Sequence, residues 1–117
     1  MGVLVSEQVD EIVNMYEMPE DSNETEEIRR FVEEREHLFP ILKEAKGQII
    51  SVFGNRVRLC LELYHDIEEG WDQLYIIIKS SYDTQKATEL ENRLAEEWFL
   101  DRMRDTKGDL NISEESL

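Results

Sequence analysis

Between Arg56 and Lys79 the sequence alternates in two runs, and this pattern limits the fold more than any other feature. Val57, Leu59, Leu61 and Leu63 interleave with Arg58, Cys60, Glu62 and Tyr64, while Leu74, Ile76 and Ile78 interleave with Tyr75, Ile77 and Lys79. A period of two places the first set of each run on one side of a pleated strand. The acidic stretch His65 to Trp71 then reads as the connection of an antiparallel hairpin, with Ile77 making the outer face partly apolar. An isolated hairpin is marginal in water, so the remaining sequence has to cover its apolar face.

That sequence is helical in pattern. Val5, Val9, Ile12, Val13 and Tyr16 recur at helical spacing, with Ser6 as a candidate N-cap, and the stripe stops near Met18-Pro19. Glu20 to Asn23 reads as a polar joint whose Ser22 or Asn23 caps a second helix bearing Ile28, Phe31, Val32, Arg35 and Leu38. Pro40 interrupts that stripe and fits the first turn of a third helix, which buries Leu42, Ala45, Ile49, Val52 and Phe53 and closes at Gly54. After the hairpin, Asp83 caps a long helix with Ala87, Leu90, Leu94 and Trp98 inward, and Gly108 ends it. Leu110-Asn111-Ile112 is long enough for a short third strand, expected antiparallel beside the first. The prediction is one α+β domain over residues 24–112, preceded by an amphipathic helix in 1–19 that can act as a detachable arm and followed by an acidic tail at 113–117.

Length and charge narrow the partners. A chain of 117 residues supports one core. Its 13 Lys plus Arg and 28 Asp plus Glu give a formal charge of -15. Residues 1–54 hold 5 basic and 13 acidic groups, and residues 55–117 hold 8 and 15, so neither half supplies a basic nucleic-acid arm. Such a surface repels nucleic acid and anionic membranes and attracts a basic protein. Cys60 is the single cysteine, which suits a reducing compartment. The first residues lack the positive region and long apolar run of a secretory signal, and Gly2 with Ser6 fits a myristoylation signal only in part, so a cytoplasmic location is expected.

Few residues have the spacing of catalytic chemistry. Asp66, Glu68, Glu69 and Asp72 offer hard oxygen ligands, but their spacing is not that of an EF-hand loop. Arg30 and His37 loosely fit the arginine-to-histidine spacing of the helical ribonucleases called HEPN domains, which have no hairpin. His65 stands beside Asp66 without a serine or cysteine nucleophile placed to complete a triad. Phosphate-loop and dinucleotide-binding glycine patterns are missing from the sequence. No cofactor is therefore expected. Trp98, Phe99 and Leu100 are consecutive, and three large side chains in a row span most of a helix circumference, so at least one must face outward or toward another chain.

The block Val57 to Ile112, with its acidic turn and Glu97-Trp98 near the helix end, resembles a widespread type of small bacterial protein, some of them encoded beside toxin genes. This chain has Ile67 where those proteins often carry a proline in the turn, and an acidic N-terminal extension. The resemblance implies an antitoxin-like or inhibitory role. The reading is a non-catalytic acidic module that binds a basic protein partner, with a homodimer as a further arrangement and a small metal-dependent or ribonuclease-like enzyme as the alternative. The expected contact residues are Val9, Ile12, Val13 and Tyr16 on the first helix and Trp98, Phe99 and Leu100 on the long one.

Overall fold

The structure is a computed structural model and describes residues 5–117. It is an α+β fold in which helices cover one face of a three-stranded mixed sheet. The elements are α1 (Val5–Val13), α2 (Ser22–Glu33), a 3₁₀ turn (Glu36–Leu38), α3 (Phe39–Phe53), β1 (Arg58–Asp66), β2 (Trp71–Ser80), α4 (Thr84–Leu94), α5 (Leu100–Thr106) and β3 (Leu110–Ser116). Among the described residues no helix is long and apolar enough to cross a membrane.

The helical layer grows from the stripes in the sequence. Helix α1 buries Val9, Ile12 and Val13 in the same core as Ile28, Phe31 and Val32 of α2 and Leu42, Ala45 and Ile49 of α3. Just beyond α1, the hydroxyl of Tyr16 donates to the carbonyl of Leu42 at 2.6 Å, and burial raises its pKa so that it stays a donor. Asp21, rather than Ser22 or Asn23, caps α2 by accepting from the Asn23 amide at 2.8 Å. A carboxylate there also meets the positive end of the helix dipole. Ser6, the expected cap of α1, lies inside that helix. The stripe from Ile28 to Leu38 is not one helix, because Pro40 has no amide to donate and its ring would strike the carbonyl of residue 36. The chain breaks at Arg35 (φ -131, ψ 68) and restarts as α3 with the proline in its first turn. Gly54, at φ 87, closes α3 in a backbone region that favours glycine.

Asp83 caps α4 as its spacing predicts, accepting from the Lys86 amide at 2.8 Å. Between α4 and α5 the rod widens into a π turn over Ala95–Phe99. A π turn re-phases the side chains by about one residue. Trp98 and Phe99 consequently both point inward, with ring centroids 5.8 Å apart, while Leu100 faces outward. The indole N–H of Trp98 donates to Glu44 on α3 at 2.6 Å, so this large ring is buried without an unpaired donor.

In the sheet, β1 and β2 pair antiparallel from Arg58↔Lys79 to Asp66↔Trp71. Leu59, Leu61, Leu74, Ile76, Ile78 and Leu110 line the covered face, as the alternation predicts. The third strand runs opposite to β1 in direction, but its neighbour is β2, with which it is parallel from Leu74↔Leu110 to Ser80↔Ser116. This corrects the expected place beside β1, and the cause is that the far edge of β1 is already taken. The amide of Glu17 donates to the Leu59 carbonyl at 2.8 Å and the Leu61 amide donates to the Glu17 carbonyl at 3.0 Å. The strand also runs on through Ser116, so residues 113–116 pair in the sheet instead of trailing as an acidic tail.

The outer edge of β3 has its own cover. The Leu74 amide donates to the Asp109 carbonyl, which turns the odd-numbered residues of β3 toward β2 and the amides of Ile112 and Glu114 outward. The Ile112 amide donates to the side-chain oxygen of Asn111 at 2.8 Å. Burial, and then the nearby Glu114 charge, push the pKa of Glu91 up.

Candidate interaction surface

Val9, Ile12, Val13 and Tyr16 are all buried within the chain's own core. The expectation of a detachable arm is corrected accordingly: the stripe of α1 faces α2 and α3, and Glu17 immediately after it is tied into β1. A nine-residue helix is unstable alone, and this fold already buries its apolar stripe. Trp98 and Phe99 are likewise interior, leaving Leu100 as the exposed member of the triplet, 56% accessible, with Met103 one turn further along.

The sheet presents a second surface. Its uncovered face carries the alternate set of residues: Cys60, Glu62 and Tyr64 on β1, Trp71, Tyr75 and Ile77 on β2, and Ser113 and Glu115 on β3. Tyr64 is 58% exposed and packs edge-on against Tyr75 at 6.1 Å. Trp71 is also exposed, and Ile67 projects from the hairpin turn. Ile77 lies on this face yet is buried by its neighbours. Part of the signal was present in the alternation, since the polar sides of the runs contain Tyr64, Tyr75 and Ile77; Trp71, read as part of the connection, is the first residue of β2. Burial pushes the Cys60 thiol up in pKa, which disfavours the nucleophilic thiolate.

The titratable groups form two clusters at the junction of α2 with the hairpin. His65 accepts or donates to Asp72, its cross-strand partner, at 2.7 Å, and to Glu27 of α2 at 3.2 Å. The neighbour that orients it is therefore Asp72 rather than Asp66. These side chains line a cleft of about 350 Å³ with Arg30 and Phe31. His37 bonds Asp109 at 2.8 Å, and Arg35, stacked over the Phe31 ring at 3.7 Å, reaches the same carboxylate at 3.5 Å. Arg30 and His37 thus fall in different environments, one beside His65 and one tied to the start of β3. In the hairpin turn, Asp66 accepts from the Glu69 amide at 2.9 Å and Asp72 is engaged by His65. Among the described residues no group of three or more His, Cys, Asp or Glu side chains is arranged to hold a metal ion.

The His65 cluster has a pH signature. Its hydrogen bond to Asp72, joined by the charges of Asp72 and Glu27, raises the imidazole pKa above the ordinary 6.5. The folded state therefore holds the proton more tightly than the unfolded state. Any stabilisation from the pair is complete below about pH 6.5 and is lost as pH rises through the raised folded value. An NMR titration of the ring protons should show a midpoint above 6.5 that falls toward it in Asp72→Asn. A midpoint at or below 6.5 in the unaltered protein would contradict the contact.

Comparison with protein-family models, curated proteins and solved structures finds no match to this chain or its fold.

Proposed function

We propose that this protein is a non-catalytic acidic module that binds a basic protein partner through the uncovered face of its sheet, in the manner of an antitoxin-like or inhibitory subunit. The observation that carries the reading is the exposed aromatic pair Tyr64 and Trp71 on a sheet face left bare by the helices, in a chain of charge -15. Aromatic side chains held on a rigid sheet supply contact area at little entropic cost, and the surrounding charge steers a cationic partner and speeds its approach. Leu100 and Met103 form a separate exposed apolar pair on α5.

The test is affinity capture from the native host, comparing the unaltered protein with a Tyr64→Ala, Trp71→Ala double variant at low and high salt. The reading expects a basic protein to be retained by the unaltered protein, to bind more weakly at high salt, and to lose at least about thirtyfold in affinity with the double variant, the size of a lost hot spot. A partner whose binding ignores both changes would move the interface elsewhere.

A further inference from the structure

We propose that the groove on the uncovered sheet face is a receptor for one lysine or arginine side chain of the basic partner. This rests on the reading above and names the feature that the surface recognises.

The groove, of about 420 Å³, crosses all three strands between Tyr64 and Glu62 on β1, Tyr75 and Ile77 on β2, and Ser113 and Glu115 on β3. Its middle is apolar and aromatic. Tyr75 stands directly opposite Glu62, Tyr64 leans edge-on over Tyr75, and the buried Ile77 forms the floor. Glu62 and Glu115 lie on opposite sides of that floor, on the outer strands, and among the described residues no basic one belongs to the lining. A long aliphatic stem resting on Ile77 and a cationic head at the Glu62, Tyr64 and Tyr75 end fit these surfaces, with Glu115, four β2 positions further along, lining the far end. An anion would meet only like charge, and a purely apolar side chain would leave the carboxylates facing nothing.

The chain's own cations stand just outside. Arg58 is held by Glu17 through a two-pronged hydrogen bond, with Nε 2.9 Å from one carboxylate oxygen, and does not enter the groove. Lys79 is the register partner of Glu115 and a positive charge on the same sheet just outside the lining. Removing it should therefore favour an incoming cation.

The experiment is an amide NMR titration of the isotope-labelled full chain with a tetra-arginine peptide, and with a tetra-glutamate peptide as control. The proposal expects saturable shifts centred on residues 62, 64, 75 and 115 with the arginine peptide alone. Affinity should fall about tenfold or more in Glu62→Gln, Tyr64→Ala and rise in Lys79→Met. Both altered β1 residues are exposed, and retained amide dispersion establishes that the variants fold. Shifts scattered over the acidic helices and indifferent to these substitutions would overturn the groove while leaving a basic partner in place. Absence of binding by the arginine peptide at low salt would overturn the groove and the basic-partner reading together.

Discussion

Leu61→Asp is expected to abolish cooperative folding. Leu61 is fully buried at the centre of β1, opposite Ile76, on the face covered by the helices. The substitution removes about 2 kcal/mol of apolar burial and strands a carboxyl group among aliphatic side chains at a further cost of several kcal/mol. Domains of this size are stable by roughly 5–15 kcal/mol, so the sum approaches the whole margin. Cys60→Ser provides the contrast, since Cys60 is half-buried on the opposite face of the same strand. Thermal melts should separate the two variants widely. Equal melts would mean that β1 is rotated by one residue relative to the register described.

Deleting residues 1–19 is expected to have an effect of similar size. The truncation removes Val9 and Ile12, both fully buried, together with Val13 and Tyr16, and each such side chain contributes about 1.5–3 kcal/mol. It also deletes the Tyr16 bond to Leu42 and both backbone bonds from Glu17 to β1. Calorimetry or a denaturant titration should find no cooperative transition, or one at much lower denaturant. A truncated chain that unfolds cooperatively near the full-length midpoint would restore the arm.

These two expectations show where the sequence is informative and where it is silent. The hairpin was legible because alternation is a local signal, and each residue of β1 and β2 reports its own face. The Asp83 cap and the Gly54 stop were legible for the same reason. The neighbour of β3 was not, because Leu110-Asn111-Ile112 pairs as well in principle with either strand of the hairpin. What decides it is Glu17, about forty residues before β1 is even paired, whose backbone takes one edge; nothing in an acidic residue after a helix announces that. The π turn was equally hidden. Three large residues at 98–100 signalled a conflict with regular helix geometry, but the inward resolution of Trp98 and Phe99 depends on Glu44, far away in the chain, waiting for the indole.

The candidate surface followed the same division. Tyr64 and Tyr75 were visible as outward members of the two runs, whereas Trp71 read as part of the connection; their significance depends on no helix among the described residues lying over them. The first-helix residues read as contacts because an amphipathic stripe looks identical whether it meets its own core or another chain. Only the packing against α2 and α3 assigns it inward.

The covered edges of the sheet have a consequence for colloidal behaviour. An exposed strand edge is a template on which further chains can stack by backbone pairing, and this sheet is only three strands wide. Glu17 occupies one border over its middle, while the Asn111 side chain occupies the outward amide of Ile112 on the other. Lateral pairing is therefore blocked at the middle of β1 and at Ile112 of β3 by groups of the same molecule. Backbone pairing at the margins and side-chain contact on the bare face are thus separate routes of association, and the first is the one this fold restricts.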